Sequence, residues 1–169
     1  MASGPRYTVR FRRHRTGKTD YHKRLAMLKS GTVRLVIRKT NRYITVQLIK
    51  YNQKGDQILG SATSKQLIKL GWKHSTSNIT AAYLTGLAVA KVSEKAKVKD
   101  VIIDLGRNTS TKGSVLYAAL KGAADGGINI SFDEKILPTE DRILGKHTKT
   151  KDLQKDLEAI KKKLGVNNG

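Results

Sequence analysis

The sequence predicts an α/β protein whose mixed sheet joins a three-strand antiparallel meander to parallel strands, with helices packed against it. Three observations indicate this class. Residues 33–50 contain two runs in which apolar and polar residues alternate, as they do in half-buried strands. A long apolar stretch with the character of a helix follows over residues 78–97. Beyond it come a strand, a helix and a strand, in the order of a right-handed parallel crossover.

Residues 1–30 are the first expected domain, a basic RNA-binding arm. Before Tyr21 they show no lasting apolar period, so we expect this part to be extended or disordered in the free protein. A short helix is expected around Thr19–Leu28, anchored by Leu25 and Leu28. The alternative is a solvated basic tail or a nuclear-import-like address. The cations that would clamp phosphates are Arg6, Arg10, Arg12, Arg13, Arg15 and Lys18. The rings that would stack on unpaired bases are Tyr7, Phe11 and Tyr21.

The second expected domain, residues 31–132, opens with a β-hairpin turning at Thr40-Asn41. This turn pairs Ile37 with Ile44, Leu35 with Val46 and Val33 with Leu48 on an apolar face. The opposite face pairs Arg38 with Tyr43, Val36 with Thr45 and Arg34 with Gln47. Antiparallel sheets commonly bury one face and solvate the other. A face with cations, a ring and hydrogen-bonding groups suits RNA, and the alternative is an ordinary half-exposed sheet with soluble arginines.

The rest of the central domain alternates strands and helices. Gly86 lowers the helix propensity of its own segment, which indicates close packing against a sheet. Trp72 is expected to be a packing anchor at an edge rather than a platform for bases. The predicted elements are a strand over Gln57–Ser64, a helix over Asn78–Lys97 capped by Ser77 or Asn78, a strand over Val101–Leu105, a helix over Gly113–Ala124 and a strand over Ile128–Phe132.

Residues 133–169 are the third expected domain, a C-terminal extension in which the composition shifts. Its main predicted element is an amphipathic helix over Asp152–Leu164. One narrow stripe on a terminal helix predicts docking, either on its own domain or on a neighbour. The stripe consists of Leu153, Leu157, Ile160 and Leu164.

Charge is the strongest global signal, because 34 Lys and Arg oppose 13 Asp and Glu and leave a formal net charge of +21. Nucleic acid is the commonest partner of such a chain, since each neutralised phosphate releases condensed counterions. The excess of positive charge lies in the N-terminal part of the chain, where residues 1–42 hold thirteen cations and one acid. Cysteine is absent, and neither a secretory signal nor a membrane-spanning run is visible, so we expect a cytoplasmic protein without disulfides.

The loop Gly106–Ser114 lies between a predicted strand and a predicted helix, where phosphates often bind. It resembles a nucleotide-binding P-loop only superficially, because Lys112 precedes Gly113 instead of following it. Free amides at the helix start, flanked by Arg107 and Lys112, would still suit an RNA phosphate. The equal alternative is capping of the helix by Ser110 or Thr111.

Catalysis is not predicted. A metal-dependent nuclease needs converging carboxylates, and Asp104 on its strand has no acid on the first strand to face it. The four histidines are scattered and share no spacing of metal ligands, and no Ser, His and Asp constellation is visible. We therefore expect no cofactor and no metal. Besides a specific, non-catalytic RNA-binding protein, the alternatives are a general basic nucleic-acid-binding protein and, less favoured, a metal-dependent ribonuclease-H-like nuclease.

Six segments, taken in order, resemble the large-subunit ribosomal protein eighteen family in its archaeal form. They are GKTDY at Gly17–Tyr21, RLVIRKTNRYITVQ in the hairpin, GW at Gly71-Trp72, NITAAYLTGL at Asn78–Leu87, DLGRNTSTKGSVLYAALKGAADGG, and RILGKH at Arg142–His147. The resemblance implies a ribonuclease-H-like architecture without catalytic acids. It also implies a structural role in which the protein binds 5S rRNA and helps to attach it to 23S rRNA at the central protuberance of the large subunit.

The resemblance further implies that the partners are 5S rRNA, 23S rRNA and neighbouring large-subunit ribosomal proteins, with no membrane and no small-molecule substrate. Bacterial members usually carry an arginine after the glycine in the last loop, where this sequence has Lys112-Gly113-Ser114. The complete set of expected RNA-binding residues is Arg6, Arg10, Phe11, Arg12, Arg13, Arg15, Lys18, Tyr21, Lys23, Arg24, Arg34, Arg38, Lys39, Asn41, Arg42, Tyr43, Gln47, Arg107, Asn108 and Lys112.

Overall fold

The computed structural model describes residues 4–148 and 152–165, and its strands form one mixed sheet. The strands are β1 (Val33–Lys39), β2 (Ile44–Lys50), β3 (Gln57–Thr63), β4 (Asp100–Asp104) and β5 (Asn129–Ile130). Their order in the sheet is β3-β2-β1-β4-β5. Strands β1, β2 and β3 are antiparallel neighbours, whereas β4 runs parallel to both β1 and β5. The predicted α/β class and mixed sheet are confirmed, although β5 is shorter than the predicted Ile128–Phe132.

Helices α1 to α7 fall into a predicted and an unpredicted group. The predicted ones are α2 (Tyr21–Leu28), α4 (Ile79–Lys95), α5 (Val115–Asp125) and α7 (Leu153–Lys163). The unpredicted ones are α1 (Arg12–Arg15), α3 (Ser64–Lys69) and α6 (Glu140–Ile143), with a 3₁₀ turn at Glu134–Ile136. Asn78 caps α4 as predicted, because its side-chain oxygen accepts a hydrogen bond from the Ala81 amide at 2.7 Å.

The hairpin keeps its predicted faces but not its predicted register. Thr40 pairs with Tyr43 through a backbone hydrogen bond of 2.8 Å, so the two turn residues are Asn41 and Arg42 rather than Thr40-Asn41. The Thr40 hydroxyl closes this turn, since it accepts from the Tyr43 amide at 3.0 Å and donates to the Tyr43 carbonyl at 2.9 Å. Leu35 therefore pairs with Leu48, and Ile37 with Val46. A slip of two residues leaves every side chain on its original face, because side chains alternate with a period of two.

The main core lies where α4 and α5 cover one face of the sheet. Leu35, Ile37, Val46 and Leu48 of the hairpin are fully buried there, together with alanines of both helices. The two helices approach closely at a pair of glycines. A Cβ on Gly86 would overlap the Ala119 carbonyl, and one on Gly122 would overlap the Tyr83 carbonyl. Close packing at Gly86 was predicted against a sheet, and this partner is wrong, because Gly86 meets the backbone of helix α5 at Ala119 and Ala123.

A second core forms where α7 docks on α4. Leu153, Leu157, Ile160 and Leu164 are buried as one stripe, in contact with the cluster that contains Trp72. The predicted amphipathic helix is therefore confirmed, and it docks on its own domain. Trp72 is 3% exposed and donates its indole N–H to the Ser75 carbonyl at 3.0 Å, as expected of a packing anchor. Residues 149–151 and 166–169 of the expected extension lie outside the described residues.

The predicted anchoring of α2 is wrong in part. Leu25 is 58% exposed and Leu28 is half-buried, and the helix contains no buried residue. Asp20 caps its first turn by accepting from the amides of His22 and Lys23 at 3.1 and 3.2 Å. Hydrophobic burial therefore contributes little to holding this helix, and polar contacts attach it to the rest of the protein.

Replacing Gly86 by alanine tests the helix crossing. The added methyl group collides with the backbone of α5, and overpacking of this kind costs about 1–3 kcal/mol, more than the roughly 1 kcal/mol that alanine gains in helix propensity. We expect Gly86→Ala to lower the free energy of unfolding measured in urea. Glu94→Ala, on an exposed position of the same helix, is the control and should change it little. Equal stabilities of the two variants would contradict the close approach.

Candidate nucleic-acid interface

A buried ion-pair network occupies the face of the sheet that α4 and α5 leave free. Asp104, at the carboxyl end of β4, is 4% exposed and accepts hydrogen bonds from two arginines of β1. Arg34 donates from Nη1 to Asp104 Oδ2 at 3.0 Å, and Arg38 donates from Nη2 to Asp104 Oδ1 at 2.8 Å. Both carboxylate oxygens are therefore occupied by guanidinium groups, as buried charges require.

The network continues through Asp56 to the arm. Arg34 Nη2 donates to Asp56 Oδ2 at 2.8 Å, and Arg24 of α2 approaches the two Asp56 oxygens at 2.9 and 2.8 Å. The contacts between Arg24 and Asp56 tie α2 to the turn between β2 and β3. Burial alone would raise the pKa of Asp56, but the hydrogen bonds from Arg24 and Arg34 outweigh it and hold this pKa below its ordinary value.

This network corrects one expected site residue. Arg34 was expected on an open polar face, but it is 1% exposed and its guanidinium contacts Asp56 and Asp104. The expectation that it is presented to RNA is wrong, because the alternation of β1 identified the correct face without revealing the two acids that cover it. Arg34 instead positions the strands and the turn around it.

Arg38 places the start of the loop Gly106–Ser114 beside the hairpin. Its Nη1 donates to the Asp104 carbonyl at 2.7 Å, and the Gly106 amide donates to Asp104 Oδ1 at 2.9 Å. Gly106 has a φ of +65°, and a Cβ there would lie 2.9 Å from Arg38 Cζ, so glycine suits this position on both counts. The ends of the parallel strands β1 and β4 thus present their loops at one edge of the sheet.

The capping alternative for this loop is wrong. Helix α5 begins after Ser114, with no side-chain cap, and the Ser110 hydroxyl is hydrogen-bonded to the Tyr117 hydroxyl instead. Arg107, Asn108 and Lys112 are exposed. Asn108 donates from Nδ2 to the Leu105 carbonyl at 2.7 Å, which holds the loop in a tight turn. The charged side chains of the loop therefore face solvent.

The arm lies next to this loop, since a Cβ built on Gly17 would be 3.8 Å from Arg107 Nη1. The arm is more ordered than expected, with the short helix α1 leading into α2. Phe11, which is 76% exposed, lies with its ring centroid 5.6 Å from that of Tyr21, and His14 stacks on Tyr21 at 6.4 Å. Exposed rings among cations are typical of surfaces on which unpaired bases stack.

The exposed cations of the interface lack carboxylate partners within the described ranges 4–148 and 152–165. They differ in this from Arg24, Arg34 and Arg38, which form the internal network. Their charge is uncompensated and available to an external anion. These residues are Arg6, Arg10, Arg12, Arg13, Arg15, Lys18, Lys23, Lys39, Arg42, Arg107 and Lys112.

The other expected site residues fall into two groups. Asn41 is exposed at the hairpin turn, beside Arg42. Tyr21, Tyr43 and Gln47 are half-buried, and the Lys65 ammonium lies 6.0 Å from the centroid of the Tyr43 ring. The sequence reasoning missed the roles of Asp56 and Asp104 as partners of arginines. The available signal was an acid in the apolar run of β4 and two arginines, Arg34 and Arg38, on the same face of β1.

The described residues show no candidate metal site and no candidate membrane span. Nowhere in these ranges do three His, Asp or Glu side chains come together as metal ligands would. His74, one of the scattered histidines, lies with Nε2 3.1 Å from Asp156 Oδ2 and its ring against Trp72. None of the helices seen in this part of the chain is both long and apolar enough to cross a lipid bilayer.

Fold and surface together define a basic α/β protein whose exposed cations collect around one edge of its sheet, the type of surface on which polyanions bind. A family model described as ribosomal large subunit proteins 60S L5 and 50S L18 matches residues 5–100. The large ribosomal subunit protein uL18 of Korarchaeum cryptofilum is 54% identical over 147 residues, covering 87% of this chain and 75% of the relative. That of Methanoregula boonei is 47% identical, covering 97% of this chain and 99% of the relative.

The chain belongs to this family of large-subunit ribosomal proteins, and the resemblance found in the sequence is confirmed. A further archaeal relative, the uL18 protein of Methanococcus maripaludis, is 44% identical over 96% of this chain and 85% of its own length. The protein is accordingly a structural component of the large ribosomal subunit.

The lowered pKa of Asp56 predicts how stability depends on pH. Its ionised form is favoured in the folded state, so its contribution is present above the ordinary value of 3.8 and is lost as the pH falls through the lower folded value. We expect wild type to be more stable than Asp56→Asn at pH 6, with the difference shrinking from about pH 4 downward.

Urea unfolding at a series of pH values measures this difference. Glu158→Gln, at an exposed residue with no ion pair in the described ranges, is the control and should show no comparable dependence. A stability gap between wild type and Asp56→Asn that stays constant down to pH 2.5 would contradict the role of this ion pair.

Proposed function

We propose that this protein binds 5S rRNA and helps to attach it to 23S rRNA at the central protuberance of the large ribosomal subunit. The observation that carries the proposal is the set of uncompensated cations on the arm, the hairpin turn and the loop Gly106–Ser114, which meet around one edge of the sheet. The protein acts in the cytoplasm, as part of the ribosome. Its three parts are the arm, residues 1–30, the central domain, residues 31–132, and the extension, residues 133–169.

Phosphate contacts supply most of the affinity in this proposal. Helix α1 exposes Arg12, Arg13 and Arg15 to solvent. Arg107 lies beside Gly17, just after this helix. A duplex of RNA hides its major-groove base edges, so recognition of paired regions rests on shape and on the backbone. A steep dependence of affinity on salt follows, because each neutralised phosphate releases counterions.

Unpaired bases are contacted by the rings and the amide of the same surface. Phe11 and Tyr21 present an aromatic pair on the arm, and Asn41 is exposed at the tip of the hairpin. Stacking on a ring is tolerant of sequence, whereas an amide at a turn adds directional hydrogen bonds. The two kinds of contact orient the protein on RNA that the cations attract.

The role is structural in this proposal, with no catalytic step. The strand order β3-β2-β1-β4-β5, with β2 antiparallel to its neighbours, supports a ribonuclease-H-like architecture. Asp104 is the acid that a nuclease would use on this sheet, but Arg34 and Arg38 occupy both its oxygens. The positive charges of the two guanidinium groups at this carboxylate repel a metal ion, so the arrangement does not suit metal-dependent hydrolysis.

A binding titration against 5S rRNA, duplex DNA and an unrelated structured RNA tests the proposal. We expect preference for 5S rRNA, and we expect Arg42→Gln/Arg107→Gln/Lys112→Gln to weaken binding and to flatten the salt dependence. The slope of log K against log salt concentration should fall by roughly 0.7–0.9 for each phosphate contact removed. This variant avoids the buried Arg34, so that a loss of affinity does not reflect unfolding.

The matched control is Lys69→Gln/Lys95→Gln/Lys162→Gln, which removes the same number of charges from exposed positions on α3, α4 and α7. We expect a smaller loss of affinity from it. Equal affinity for all three polyanions, or equal losses in the two variants, would contradict a positioned 5S rRNA interface and would leave a general basic nucleic-acid-binding protein.

A further inference from the structure

A cavity of about 480 Å³ lies between helix α2 and the edge of the sheet where β1 and β4 end. Its walls come from the arm, from α2, from Arg38 of β1 and from the loop that begins at Gly106. We propose that this cavity takes one unpaired nucleotide of a bound RNA, with its phosphate on the cations and its base against the apolar wall. This inference rests on the proposed function, because it names the chemical unit that one part of the interface receives.

The charge of the cavity suits a phosphate. Arg13, Lys18 and Lys23 line it and form no salt bridge within the described ranges. The two acids in the lining are committed elsewhere, since Asp20 accepts from the first amides of α2 and Asp104 from Arg34 and Arg38. The cations of the lining outnumber its two acids, and Asp104 is already paired with Arg34 and Arg38, so the cavity keeps a net positive charge for a ligand.

The remaining lining suits a base. Ala26, Met27 and Leu105 contribute an apolar surface, and α2 itself contains no buried residue, so this surface is incompletely covered. The flat ring of a base, stacked on Ala26, Met27 and Leu105, would cover this apolar surface. Asn108 uses its amide N–H on the Leu105 carbonyl, and its Oδ1 has no donor among residues 4–148 and 152–165. That oxygen is available to accept a hydrogen bond from a base edge.

Size and access favour a single unpaired nucleotide. The volume falls within the range of about 300–1,000 Å³ that small-ligand sites occupy. A base inside an A-form duplex cannot leave its stack without unpairing, whereas bases in loops and bulges can be splayed out into a protein pocket. A bare phosphate would use the cations but leave the apolar wall exposed.

The two methionines of the sequence, Met1 and Met27, allow a direct test because Met27 lines the cavity. Protein labelled with ¹³C in the methionine methyl groups is titrated with 5S rRNA, and separately with AMP, ribose 5-phosphate and inorganic phosphate. Met27→Leu assigns the signal. We expect the Met27 methyl to shift in the RNA complex and to shift saturably with AMP, because a base ring lies against it, and to move much less with the two phosphates that lack a base.

Two variants make this measurement specific. Leu25→Met adds a second reporter methyl on the exposed side of α2, and its signal should not saturate with AMP. Lys18→Gln/Lys23→Gln should raise the AMP concentration at half-saturation about tenfold, as expected for the loss of charge-assisted hydrogen bonds. Lys29→Gln, which removes an exposed lysine outside the cavity, is its control and should leave this concentration unchanged.

The outcomes separate this inference from the function on which it rests. An unmoved Met27 methyl in a complex that prefers 5S rRNA would overturn the nucleotide site and leave the proposed function intact. Equal shifts with AMP and inorganic phosphate would overturn the nucleotide site as well. A saturable Met27 shift with AMP, in a protein without preference for 5S rRNA, would support the cavity as a nucleotide site and contradict the proposed 5S rRNA role.

Discussion

The neutralisation of Asp104 by two arginines of the first strand is the interaction on which this structure depends most. It joins β1 to β4, fixes the start of the loop Gly106–Ser114 through the Gly106 amide, and reaches the arm through Arg34, Asp56 and Arg24. A buried carboxylate and a buried guanidinium are each costly to remove from water unless they meet with good geometry. The network therefore specifies how three separate parts of the chain are placed around one edge of the sheet.

The same network divides the charge of the molecule into two classes. The arginines of the network have carboxylate partners and hold the fold, whereas the exposed cations of the arm, the turn and the loop have none among the described residues and are available to an external anion. The opposite face of the sheet carries no comparable charge, because α4 and α5 bury it under an apolar core. A large positive charge is thus compatible with a stable domain, since the excess is placed where solvent and counterions screen it.

Periodicity predicted most of the fold, because strand and helix periods depend on local sequence. The two faces of the hairpin, the cap at Asn78 and the stripe of α7 were identified correctly. A close approach at Gly86 was also expected, but against a sheet instead of helix α5. What local sequence could not supply was pairing at long range. Arg34 lies 70 residues before Asp104, and no periodic signal connects them, so the arginine was expected to face solvent. The hairpin register failed for a related reason, because the Thr40 hydroxyl selected a turn that composition alone did not favour.

A double-mutant cycle on Arg34 and Asp104, with free energies of unfolding measured in urea, tests whether this ion pair holds β1 and β4 together. We expect Arg34→Met and Asp104→Leu each to cost about 1–3 kcal/mol, because each removes one of the two partners of a buried charge and leaves the second in place. The double variant should cost clearly less than the sum of the two, since both single variants break the same ion pair. Arg107→Gln, at an exposed loop position, is the control and should stay within about 0.5 kcal/mol of wild type. Single variants as stable as that control, or losses that simply add, would contradict the account.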